Sequence, residues 1–142
     1  MIEVVSRQRK LPMDCERWRA FAEKAVGVLP AEKGVGVTVA FVSDRAMREL
    51  NRRWRGKHVT TDVLSFPSEQ DAFERAEGLS LGDVVISVEQ AARQAAESGL
   101  DFDGEVAQLI LHGLLHLCGY DHEIDGGEMN ALELTLRRRL GI

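Results

Sequence analysis

Cysteine is scarce in this 142-residue chain, with only Cys15 and Cys118 present. Two thiols so far apart build no disulfide framework, which excludes the small stapled scaffolds of secreted proteins. Proline is nearly as rare, at three residues, and glycine follows no repeat, which excludes collagen-like architecture. No apolar stretch approaches the roughly 20 residues of a membrane-spanning helix. The opening MIEVVSRQRKLPM puts its apolar residues ahead of its charges, the reverse of a secretory signal. These absences lead us to expect a reducing cytoplasm and no membrane partner. What is there, 44% hydrophobic and 29% charged residues, is ordinary globular composition and speaks against disorder and coiled coil. At this length one core can bury about two-thirds of the unfolded surface, so residues 1–142 are expected to form a single domain.

The net charge of −5 conceals an asymmetry. Residues 1–58 carry 13 Lys/Arg against 7 Asp/Glu, and residues 59–142 carry 5 against 16. A partner responds to the local field and not to the average, so a polyanionic ligand is compatible with the acidic total.

Hydrophobic periodicity and punctuation predict four strands and five helices in one α+β domain with a mixed sheet. Strands are expected at Ile2–Ser6, Gly36–Val42, Asp62–Phe66 and Leu81–Ser87. The first helix runs from Met13 to Val28 and stops at Leu29-Pro30, because proline disfavours helix in the residue before it. The second starts after a Ser43-Asp44 cap and ends near Trp54, with Met47, Leu50 and Trp54 on one face and Gly56 as the breaker. Helices follow at Val88–Ser98, ended by Gly99, at Asp103–Cys118, ended by Gly119, and at Glu128–Leu140. Ser68–Ser80 is polar, lacks a clear period and is expected to be a mobile loop.

Three of the four histidines fall in HGLLHLCGYDH, from His112 to His122. His112 and His116 stand at i and i+4 on a predicted helix, so both imidazoles leave the same face. That helix is apolar on most sides: Val106, Leu109, Ile110, Gly113, Leu114 and Leu117 on one, Leu111, Leu115 and Cys118 on another. It therefore reads as a core helix, and two imidazoles on its single polar strip need a partner. Gly119 permits a sharp turn that brings His122 back toward them. Three histidine ligands with a fourth position left open is the catalytic pattern for zinc, whereas structural sites are closed. Cys118 lies on a different face from His116 and reads as packing. The spacing H-x-x-x-H-x-x-G-x-x-H is shared with metzincin peptidases, but their general-base glutamate after the first histidine is replaced here by Gly113.

Arg45, Arg48, Arg52, Arg53, Arg55 and Lys57 crowd into thirteen residues with only Glu49 to offset them. Alone, such a run reads equally well as a solvated helix face. It gains meaning from its setting. LNRRWRGKHVTTDVLSFP (Leu50–Pro67), LGDVVIS (Leu81–Ser87) and HGLLHLCGYDH follow one another in the order of the YbeY family. Over about Val37 to Leu140 the chain resembles that family of bacterial metal-dependent endoribonucleases and ribosomal-RNA maturation factors. The resemblance implies a small α+β domain with a four-stranded sheet. It implies zinc on His112, His116 and His122, one ion per chain, and Arg55 as the functional arginine. It further implies cytoplasmic action in 16S rRNA 3′-end processing and ribosome quality control. The partners it implies are the small ribosomal subunit, a small-subunit ribosomal protein and the GTPase Era. His58 occupies a position that varies in the family pattern and receives no role.

A zinc ion on three neutral imidazoles keeps its charge, so it can acidify a water and polarise a phosphoryl oxygen. Arg55 would supply a fixed guanidinium for the phosphodiester as the catalytic residue outside the metal shell. Arg45, Arg48, Arg52 and Lys57 would hold the backbone, which favours unpaired RNA without sequence read-out. Asp121, next to His122, fits either orienting a ligand or forming a turn. No general base stands out. Two other readings stay open: a ribosome-assembly factor with a structural metal, and a zinc hydrolase of a peptide or ester.

Overall fold

The structure is a computed structural model that describes residues 2–30, 36–68, 80–121 and 123–142. Among these residues the chain order is β1 (Ile2–Ser6), α1 (Cys15–Val28), β2 (Gly36–Val42), α2 (Asp44–Arg55), β3 (Val63–Pro67), β4 (Ser80–Ser87), α3 (Val88–Ser98), α4 (Phe102–Leu117) and α5 (Glu128–Leu140). The strands form one mixed sheet in the order β1-β2-β4-β3. β2 runs parallel to both β1 and β4, and β3 pairs antiparallel with β4, Leu64 opposite Val85. The expected α+β class with a four-stranded mixed sheet is the one observed.

Alternation along β2 and β4 divides the sheet into two faces. Val37, Val39, Phe41, Val84 and Ile86 point to the main core, where they meet Trp18 of α1, Val106, Ile110 and Leu114 of α4, and Met129 and Leu136 of α5. Val42, Leu64 and Val85 point the other way and pack with Met47 of α2 in a smaller cluster. The main core buries α4 on nearly every side, as the distribution of its apolar residues requires. Gly113 brings α4 down onto the sheet. A Cβ there would stand 2.6 Å from Cγ1 of Val84, and the Ser65 hydroxyl donates to the Gly113 carbonyl at 2.9 Å. The position where a metzincin carries its glutamate therefore faces packed strands.

Helix starts follow their caps. The side chains of Asp14, Ser43, Ser87 and Asp101 accept the N–H of Arg17, Ala46, Gln90 and Gly104 respectively. The caps at Asp14 and Asp101 set α1 to begin at Cys15 rather than Met13, and α4 at Phe102 rather than Asp103. β3 spans Val63–Pro67 rather than the expected Asp62–Phe66, with Pro67 paired opposite Gly82. β3 is an edge strand, where a missing N–H is tolerated. Trp54 departs further from expectation. It shares a face with Met47 and Leu50, yet it is 65% exposed, whereas Met47 is fully buried. The last turn of α2 overhangs the edge strand, where Phe66 supplies the aromatic contact for Trp54. Of the segment expected to be a mobile loop, residues 69–79 lie outside the described residues. Its two ends are joined, Ser68 N–H donating to the Leu81 carbonyl at 3.1 Å.

Candidate active site

α4 carries His112 and His116 out of the core into a cleft of about 360 Å³. One wall is the outer edge of β3 with the preceding Thr61 and Asp62. Asp121 and Glu123 also line it, together with Arg55 from the end of α2. The two histidines are half-buried in a helix otherwise sealed by leucine, isoleucine and valine.

Their geometry is convergent. Nε2 of His116 lies 3.2 Å from Nε2 of His112, with the rings nearly perpendicular at 77°. Behind His112, Nδ1 stands 2.8 Å from Oε1 of Glu133 on α5. Donation from Nδ1–H to this carboxylate would leave the lone pair of a neutral ring on Nε2, the nitrogen turned toward His116. Glu133 is 7% exposed, and its other oxygen accepts Nη2 of Arg137 at 2.9 Å. Arg137, Glu133 and His112 thus form a chain of polar contacts that fixes one imidazole.

This arrangement fits a metal. Tetrahedral zinc with Zn–N bonds of 2.0–2.1 Å holds its ligand nitrogens about 3.3 Å apart, close to the spacing of the two Nε2 atoms. Histidine ligands commonly donate their second N–H to a carboxylate, as His112 does to Glu133. Among the described residues no group of three potential ligands forms. The third expected ligand, His122, lies outside those residues. The residues on either side of it, Asp121 and Glu123, both line the cleft. Gly119, at φ +96°, makes the left-handed turn expected after the helix.

Asp121 serves the turn through Oδ1, which accepts the Glu123 N–H at 2.9 Å. Cys118 packs against the main core, and burial pushes its thiol pKa up. Of the basic segment, Arg55 lies in the cleft. Arg45, Arg48 and Lys57 are exposed beyond it, and Arg52 is engaged by Glu49 one turn earlier, Nε to Oε2 at 3.0 Å. Glu133 is the site residue that the sequence reading missed. Its signal is a charged residue within the buried stripe Met129, Leu136 and Leu140 of α5.

Residues 3–141 match the family model described as Endoribonuclease YbeY. An Endoribonuclease YbeY of Nautilia profundicola is 43% identical over 106 residues, spanning 75% of this chain and 73% of the relative. One of Alkaliphilus metalliredigens is 39% identical across 96% of this chain and 93% of its own length. A Thermotoga maritima protein solved in solution superposes over 99% of this chain and 89% of its own, at a TM-score of 0.59 and 26% identity. With the family pattern spanning α4, its histidines and the arginine at the cleft, this chain belongs to the Endoribonuclease YbeY family.

Proposed function

We propose that this protein is a zinc-dependent endoribonuclease that cleaves single-stranded RNA in the cleft between α4 and β3. The observation that carries the proposal is the His112–His116 pair, converging at Nε2 with Glu133 behind it and facing a cleft that Arg55 enters. His112, His116 and His122 would hold the ion. When bound, it supplies Lewis acidity toward a phosphoryl oxygen and acidifies a water molecule. The remaining tasks fall to the chain itself. Glu133 holds the His112 ring in one tautomer. Arg55 binds the scissile phosphodiester and stabilises the charge that develops on it. Arg55 and the neighbouring basic residues suit a substrate held by its sugar-phosphate chain.

Family membership supports ribosomal RNA as the substrate, with maturation of the 16S 3′ end and ribosome quality control in the cytoplasm as the setting. The same reasoning supports the small ribosomal subunit, one of its proteins and the GTPase Era as partners. The decisive assay is cleavage of single-stranded against duplex RNA by metal-replete protein and by His116→Ala.

Two quantitative expectations follow from the surroundings of the site. Glu133→Gln should weaken metal affinity by roughly 10–100-fold, the usual cost of losing a carboxylate behind a histidine ligand. Competition with a chromogenic chelator measures it, and unchanged affinity would remove Glu133 from the site. For docking, each phosphate contact on a single strand contributes about 0.7 to the salt slope. Alanine at Arg45, Arg48 or Lys57 should each lower the slope by about that amount, equally for unrelated sequences. Arg52→Ala should change it less, since Glu49 already offsets that charge. A slope unchanged in all four would mark the run as a solvated helix face.

A further inference from the structure

We infer that Trp54 is a nucleobase-stacking residue, seating a base next to the phosphate that Arg55 holds. The inference rests on the proposed RNA-binding role of the cleft and extends it to a surface outside the cleft. Trp54 is 65% exposed, although it is one of only two tryptophans and the other, Trp18, is buried. Its ring is not loose. It meets Phe66 edge to face, centroids 5.9 Å apart at 69°. Phe66 is anchored in β3 between Ser65 and Pro67, which both line the cleft. An indole propped from one side with most of its surface in water offers a rigid aromatic platform.

Its place in the chain says what would cover it. Trp54 and Arg55 are consecutive at the end of α2, Arg55 turned into the cleft and Trp54 lying over Phe66 at the sheet edge. Arg53 and Lys57 flank them, both exposed. An apolar partner would gain little from that ring of cations. A single-stranded polyanion with aromatic bases matches both the charge and the indole. Base–aromatic stacking of this kind tolerates any base.

The test uses the full-length protein and a short 2′-O-methyl oligonucleotide of mixed sequence, with electrophoresis verifying that the probe stays intact through the measurement. Trp54→Ala should weaken binding roughly 5–100-fold, the loss expected for one stacked base. Trp54→Phe should retain most of the affinity, and in it the fluorescence quenching seen on binding by the wild type should vanish, because only buried Trp18 remains. A single abasic position in the probe should cost wild-type affinity yet cost the Trp54→Ala variant nothing further. If the wild type binds and Trp54→Ala binds equally well, or if the two losses simply add at every abasic position, the stacking role is wrong while the nuclease reading stands. Absence of wild-type binding would overturn both. Trp54 is mostly exposed, so the variants should fold, and melting curves verify it.

Discussion

Replacing Arg55 by alanine should lower the single-turnover rate of RNA cleavage at saturating substrate by roughly 10²–10³. That loss corresponds to about 2.7–4 kcal/mol, the scale observed when one preorganised donor is removed from a site of developing charge. Arg55 stands apart from the other members of the basic segment because it lines the cleft with His112 and His116. It reaches there because α2 ends at Arg55 and Gly56 takes the left-handed conformation, φ +68°, that turns the chain away. Arg55→Lys should be impaired less than Arg55→Ala, since an ammonium preserves the charge but not the bidentate fork. Metal content must be wild type in both. A variant that keeps its saturated rate and only binds RNA more weakly would place Arg55 with the docking residues.

Alanine at His112, His116 or His122 should remove most of the bound metal and with it RNA cleavage. A ligand that binds only the native state contributes RT ln(1 + [L]/Kd), about 2.7 kcal/mol at a hundredfold excess over Kd. Each variant should therefore melt below the metal-replete wild type and match the chelator-stripped wild type more nearly, because metal binding and folding are linked. Metal analysis of the purified proteins measures the first effect and calorimetry the second. If all three variants retained wild-type zinc, the ligand assignment would fall.

What the chain reveals before folding is what lies close together in it. Ser43, Ser87 and Asp101 cap their helices through side chains three residues from the N–H they accept, so the helix boundaries were legible to within a residue or two. The i, i+4 spacing of His112 and His116 likewise carries its own geometry, and the two Nε2 atoms do converge. Contacts made in three dimensions were not legible. Glu133 meets His112 from another helix, 21 residues away, and periodicity alone does not say which helix faces α4. The strand order β1-β2-β4-β3 is hidden for the same reason, since alternation marks a strand but not its neighbours. Trp54 misled because the helical wheel takes no account of where the sheet ends. The Arg52–Glu49 pair is local, at i and i+3, and could have been read directly.

The measurement that bears most directly on the central claim is cleavage of single-stranded RNA by metal-replete protein, beside duplex RNA and beside His116→Ala, all purified free of contaminating nuclease. The expected result is internal cuts in the single strand, little cleavage of the duplex, loss of activity on chelation with recovery on adding zinc, and an inactive His116→Ala. Cleavage by His116→Ala at the wild-type rate, or metal-replete wild type that binds zinc and cuts no RNA, would contradict it.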